Sequence, residues 1–452
     1  MNHSYFILLG VEENVRYLIR KCELSIGEDL FKDRKQFGWV MYDWANSAFA
    51  TTVMAGFFPI FFKTYWSQGV EVTKSTAMLG VANSVAGLSV AVVAPILGAI
   101  ADSGSHKKKF LIFFAYMGAL STAGLYFVQR GEWIFAVLMY ALGTIGFSGG
   151  IIFYDSLLPS IAKEKNIDVV SAIGYAMGYL GGGLLFALNV WMALSPQTFG
   201  FSDSGQAVKV SFLTVGIWWG VFTIPIILLV PEPDLGRKPT HHSIRSGFHQ
   251  LLRTFKKIRH LKMVFLFLLA YWLYIDGVDT IIRMAVDYGL SIGFRSQDLI
   301  VALLITQFIG FPSAIAFGFL GKKIGAKRAI YLAIAVYIFV VFWAMGMDKP
   351  REFYVLAGTV GLVQGGIQAL SRSLYSRLIP HDQSAEFFGF YNLLGKFSVI
   401  MGPLVIGLAG LLSKNPRVGI GSILIFFILG SVLLYFVNER KGAEEAKYLQ
   451  LH

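Results

Sequence analysis

Carboxylates and amides stand at helical spacing inside otherwise apolar segments. Asp43 and Asn46 lie three apart in YDWANSAF (42–49), and Asp276 and Asp279 lie three apart in YIDGVDT (274–280). In a helix, i and i+3 share a face, so each pair presents two polar groups in one direction. A carboxylate in such a setting can take up and release a proton, because burial disfavours its charged form. The second stripe runs on. Asp276, Asp279, Arg283 and Asp287 fall within about an 80° arc at 100° per residue. Arg283 can pair with Asp279 and Asp287 at i±4, either as a self-neutralised ladder or as part of a polar path. A third stripe, Gln364, Gln368 and Arg372 in GLVQGGIQALSRSLYSRLIP (361–380), repeats at i+4. It suits either a wet cavity that hydrogen-bonds a polar solute or hydrogen bonds between helices. Asn392 and Lys396 follow, again at i+4. Lys396 is either a buried cation paired with an aspartate or a coupling residue. Asp155 is either a loop-fixing partner or a site residue.

Other chemistries are poorly served. All eight histidines lie outside the apolar segments, so no span carries a histidine pair, which argues against a metal centre or a histidine proton relay within the membrane. GFYNLLGKFS (389–398) has five residues between its glycines and Phe397 in place of Ser or Thr, so it is no phosphate-binding loop. The chain reads as a non-enzyme that needs no cofactor and no metal.

The elements that must position these residues are long apolar helices. Apolar residues make up 55% of 452 and charged residues only 15%, against roughly 25% charged in soluble domains. Nine charge-free runs, at 77–101, 110–128, 133–154, 169–194, 210–230, 299–320, 329–347, 353–371 and 418–438, approach or exceed the roughly 20 residues that cross a bilayer as helix. Three more carry embedded charges, at 38–62, 263–288 and 387–412. The expectation is an all-α integral membrane protein of twelve transmembrane helices in two six-helix halves. A cytoplasmic tail (1–37), a first half (38–230), a central loop (231–262), a second half (263–438) and a C-terminal tail (439–452) follow in order. A single cysteine, Cys22, excludes an internal disulfide, and Glu12 and Glu13 follow MNHSYFILLG where a signal peptide would be cleaved. With the N-terminus inside, the internal loops hold eighteen Lys and Arg against nine in the external loops. That bias places both termini in the cytoplasm. The net charge of +12 is spread over these loops, so it speaks for topology and lipid headgroups and against nucleic acid. In the central loop, Ile244, Phe248, Leu251, Leu252, Phe255 and Ile258 repeat at helical spacing, with Arg253, Lys256, Lys257 and Arg259 largely elsewhere on the wheel. This is a helix lying on the anionic inner leaflet or a cytoplasmic strut packed on the protein.

The halves resemble each other. GAIADSGSHKKKF (98–110) ends the second span and GFLGKKIGAKRAI (318–330) ends the eighth; Gly98 aligns with Gly318, and Asp102 with Lys322. Internal repeats mark transporters and favour alternating access over a channel. The first copy resembles the signature loop of the major facilitator superfamily, in which Gly98, Asp102 and Lys107 would lock the inner ends of spans, with Asp155 nearby as a possible member. YDWANSAF, YIDGVDT, QGGIQALSRSLYSRLIP and AEFFGFYNLLGKFSVIMGP together resemble the vacuole-effluxer family of that superfamily. The resemblance covers about 38–437. It implies twelve spans, a central solute site lined by spans one, four, seven and ten, alternating access, and amino acids as the leading substrate class. Asp43, Asn46, Asp276, Asp279, Gln364, Gln368 and Arg372 carry over as family-motif positions. On that reading Asn46, Gln364 and Gln368 contact the solute. Asp276 or Asp279, with Asp43, carries H⁺ or Na⁺. An amino acid's carboxylate meets Arg372 or Lys396. The compact central loop and short tails are like those of bacterial members, which points to a bacterial cytoplasmic membrane instead of a vacuole; a monomer is expected, another solute class is the alternative, and a receptor or scaffold a remoter one.

Overall fold

The computed structural model describes residues 33–67, 97–102, 106–233, 261–291, 294 and 296–451. Most of the N-terminal tail, most of the expected second span and the amphipathic stretch of the central loop lie outside the described residues, as do the side chains of Arg283, Asp287 and Lys396. Every long element among the described residues is a helix, and ten are long and apolar enough to cross a membrane. They are numbered here by their expected place in the chain: span one (Arg34–Trp66), three (Lys107–Phe127), four (Trp133–Ile161), five (Ile167–Leu194), six (Ser204–Leu229), seven (Lys262–Ile282), eight (Asp298–Ile324), nine (Ala326–Gly346), ten (Arg351–Leu378) and twelve (Arg417–Tyr435). The helix Ser384–Ser413 occupies the place of span eleven, with its more apolar part at Leu404–Ser413.

Local chemistry sets the helix ends. The Asp33 carboxylate accepts from Lys35 N at 3.0 Å, that of Asp203 from Gln206 N at 2.8 Å, and the Asn415 side chain from Arg417 N at 2.9 Å. Each satisfies a backbone N–H that the first helical turn leaves unpaired. Between spans eight and nine the chain reverses at Gly325, whose φ of +91° suits a residue without a Cβ. Span one passes from α-helix into π-helix over Phe49–Phe57 and again over Phe62–Trp66. Such segments are uncommon and occur often at functional sites.

One apolar core fills the second half, built around Phe267, Tyr274, Tyr337 and Phe427. The first half has two, one around Phe49, Phe58 and Trp219 and one around Trp39, Tyr154 and Leu157. Outside them, Phe113, Leu120, Ile134, Trp191, Phe342 and Leu411 are exposed. So much exposed apolar surface is untenable in water and fits acyl chains. A last helix, Glu439–Leu451, folds back on the second half. Its Glu445 accepts from Met263 N at 3.2 Å, its Gly442 lies against Leu378, and Lys327 donates to the carbonyls of Tyr435 and Val437 at 2.8 and 2.7 Å. The start of span seven and the end of span ten are thereby tied to the tail.

Candidate functional site at the junction of the halves

The end of the bundle that carries the start of span one and the short basic turns is called the inner end here. Most hydrogen bonds described between the two halves lie toward that end; further out, Tyr179 of span five bonds Gln364 of span ten.

Its centre is Arg372, 1% exposed on span ten. Nη1 reaches Asp155 Oδ1 of span four at 3.0 Å, and Nη2 stands 3.6 Å from Asp43 Oδ2 of span one. Nε donates to Ser171 Oγ at 2.9 Å and Nη2 to the Ser171 carbonyl at 2.8 Å, both on span five. The guanidinium also lies over the rings of Tyr175, Trp39 and Tyr154, at 4.4, 4.9 and 5.3 Å from their centroids. Planar, delocalised and weakly hydrated, arginine is the cation best suited to so dry a site. The carboxylates are held in turn. Tyr154 OH donates to Asp43 Oδ2 at 2.6 Å, and Asn392 Nδ2 of span eleven to Asp155 Oδ2 at 3.4 Å. Gly174 makes room, since a Cβ there would lie 2.6 Å from Asp43 Oδ2 and 2.9 Å from the Tyr154 hydroxyl.

Nearer the inner surface two further contacts join the halves. In one, Asp102 pairs with buried Lys107 at 2.8 Å and accepts from Ala385 N and Glu386 N at 3.2 and 2.8 Å. It thus caps the first turn of the span-eleven helix, where a carboxylate also meets the positive end of the helix dipole. Lys107 Nζ donates to Ser384 Oγ at 2.7 Å, and Gly98 lies directly against the backbone of Ala385. In the other, Asp168 at the start of span five pairs with Arg377 of span ten and accepts from Ser373 Oγ. Lys322 Nζ donates to Asn166 Oδ1 at 3.1 Å, and Gly318 packs on Ala172. His381, in the turn before span eleven, is exposed at its surface, yet partial desolvation by its neighbours pulls its titration below the usual histidine range.

The sequence-expected residues thus divide. Asp43, Asp155, Arg372 and Asn392 meet, as do Gly98, Asp102 and Lys107 with the span-eleven helix. Asp276 does not join them. Its Oδ1 accepts from Gly402 N at 3.0 Å and Thr280 Oγ1 at 3.2 Å, so its described partners lie within the second half. It sits five residues further along its helix than Asp43 does, a difference of about 7.5 Å. The two pairs are not equivalent in depth. Asp279 is half-buried. Asn46 is buried within the first half at 2% exposure. Gln364 borders a cavity in the outer part of the second half, lined mostly by apolar residues such as Ile281, Leu303, Val341 and Phe353. Gln368, one turn inward, is half-buried. Asp168, Ser171, Tyr154, Tyr175 and Trp39 were not singled out from the sequence. Asp168 immediately precedes the charge-free run and reads as loop, but span five begins at Ile167 and includes it. The only signal for the others was register: Trp39 stands four before Asp43, and Ser171 four before Tyr175.

Comparison with known proteins agrees with this architecture. Residues 67–447 match the family model described as "Vacuole effluxer Atg22 like". The uncharacterized MFS-type transporter YxiO of Bacillus subtilis (strain 168) is 40% identical over 91% of this chain and 96% of its own length. Autophagy-related protein 22 of Yarrowia lipolytica is 25% identical, over 80% of this chain and 75% of that protein. Among solved structures, the human organic anion transporter MFSD10 superposes with a TM-score of 0.70 at 14% identity, covering 89% of this chain and 98% of that one. The chain therefore belongs to the Atg22-like vacuole effluxer family and is a transporter-type membrane protein of the major facilitator fold.

Proposed function

We propose that the protein is a secondary active transporter that moves a small polar solute by alternating access, coupled to protons, with amino acids as the first class to test. The observation that carries this reading is the gathering of most of the described inter-half hydrogen bonds at the inner end. Contacts of this kind form a gate: they hold one side of a central path shut and must break when the halves rock. The state described is the one with the inner end closed. A polar solute would approach from the outer side, where Gln364 and Gln368 offer amide groups to it. Arg372 already directs donors at Ser171, Asp155 and Asp43, so a solute carboxylate would reach it only after the gate opens. Both termini would face the cytoplasm of a bacterial cell, on the strength of the basic inner turns.

Transport into proteoliposomes tests the reading. With an imposed pH gradient, radiolabelled amino acids should accumulate above the level in protein-free vesicles, and a protonophore should abolish the accumulation. Accumulation of sugars or nucleosides with none of amino acids would overturn the substrate class.

A further inference from the structure

We infer that the coupling proton is carried by the Asp43–Arg372–Asp155 cluster, which takes up one proton as the inner end closes and gives it up as that end opens. The inference rests on the alternating-access reading above.

The first argument is a count of charge. The two contacts nearer the inner surface pair one acid with one base, Asp102 with Lys107 and Asp168 with Arg377. The central cluster sets two carboxylates against one guanidinium. Asp43, Asp155 and Arg372 are all buried. A closed cluster with both acids ionised would leave one negative charge uncompensated in a dry site, which is costly. One proton shared by the pair removes it, and such a proton belongs to the pair and not to either residue. Among the described residues, the groups facing the cluster do not supply the missing positive charge. They are Trp39 from span one, Tyr154 from span four, Ser171 and Tyr175 from span five, and Asn392 from span eleven. Asp279 of span seven acts on Tyr175 and adds negative charge. Lys396 stands one helical turn beyond Asn392 and is therefore varied in the test below.

The second argument is about which group can couple at all. A ligand drives a conformational change only through a difference in its affinity for the two states. The described partners of Asp276, Thr280 and Gly402, lie in the same half as Asp276 itself, so those two bonds are kept when the halves rock. Asp43 and Asp155 belong to the first half and Arg372 to the second. Opening separates them, and the acids gain water and lose the low-dielectric setting that favoured the shared proton. The third argument selects the ion. The guanidinium is enclosed by three rings, and Asp43 Oδ2 already accepts from Tyr154. A metal cation needs several oxygen ligands, whereas a proton needs no added room.

The test uses the full-length chain in lipid nanodiscs with Cys22→Ser, His381→Gln and spin labels at Lys163→Cys and Lys323→Cys, two exposed positions at the inner ends of opposite halves. Pulsed EPR reads the ratio of closed to open distances between pH 5.5 and 8.5. The closed fraction should fall as pH rises, by up to tenfold in the ratio per pH unit for one proton. Asp155→Asn and Asp43→Asn should each flatten that slope, while Lys396→Met should leave it. A wild-type ratio indifferent to pH would overturn the proposal, and this needs no folded variant. So would an unchanged slope in both asparagine variants, its loss in Lys396→Met, or a ratio that follows Na⁺ at fixed pH. Arg372→Ala separates this from the parent reading. If it opens the inner end while wild type ignores pH, only the proton assignment fails; if it leaves the inner end closed, the gate itself is wrong.

Discussion

The two contacts that flank the central cluster are built on one plan and charged in opposite ways. At the first, Gly98 meets the start of span eleven, and the acid, Asp102, comes from the end of the same helix as Gly98. At the second, Gly318 meets the start of span five, and the acid, Asp168, comes from the span that receives it. Lys322 holds the place that Asp102 holds in the first copy. The acid has changed sides, yet each contact still pairs it with one base. What the repeat preserves is therefore neutrality and close helix approach, and not the residue at any one position. The two contacts differ in burial too: Lys107 is 2% exposed, whereas the Arg377 side chain is 15% exposed.

That difference can be broken experimentally. Asp102→Ala should have the largest effect, because it leaves Lys107 buried without its ion pair and removes the acceptor of two helix-start N–H groups. A loss of about 3–5 kcal/mol from the closed state is expected, read as a lower closed fraction with the label pair above. If the closed fraction is unchanged, the first contact is not a latch. Next comes Gly98→Ala, whose new methyl would strike the backbone of Ala385. It should cost about 1–3 kcal/mol, and more than Gly318→Ala, whose methyl meets the Ala172 side chain. Thermal unfolding of the two variants side by side would show the order, and the reverse order would undo the comparison. Asp168→Ala should cost about 1.5 kcal/mol, since Arg377 is near enough to solvent to be hydrated once released. Lys322→Ala removes a hydrogen bond from an exposed lysine and should shift the unfolding midpoint little, with about 1 kcal/mol as the ceiling.

The smallest effect concerns pH. Partial desolvation in the folded state holds His381 neutral to a lower pH than in the unfolded chain. The unfolded state thus binds more protons in that window, and the contribution is lost as pH falls below about 6.5. An acid-side fall in the melting midpoint that His381→Gln reduces would bear this out, and an identical fall in both proteins would not. The direction is opposite to that expected of the central cluster, which is why the histidine is replaced in the EPR series.

Much of this arrangement is legible in the sequence. Asp43, Asp155 and Arg372 stand out because charges in apolar spans demand partners, and the loop after the second span announces itself by its glycine and its acid. Their pairing is not legible. Periodicity places a residue on a face of its own helix but does not say which helix lies opposite. Ser171, Tyr154, Tyr175 and Trp39 are silent for another reason, since single aromatics and serines in apolar spans read as packing. Asp43 and Asp276 share a pattern but not a level: one face of each helix carries an acid, but counted from the helix starts about a turn and a half separates them.

The helix Glu439–Leu451 has a mechanical consequence. Through Glu445 and Gly442 it straps the inner ends of spans seven and ten to the end of span twelve, where Lys327 of span nine holds the carbonyls of Tyr435 and Val437 just before it. A strapped bundle is stiff and moves as a lever, not as separate rods. A small displacement at Arg372 is then felt at the far end of the same lever, where the cavity beside Gln364 lies. Removing residues 439–452 should therefore slacken the lever, so that the inner gate moves without carrying the outer cavity with it.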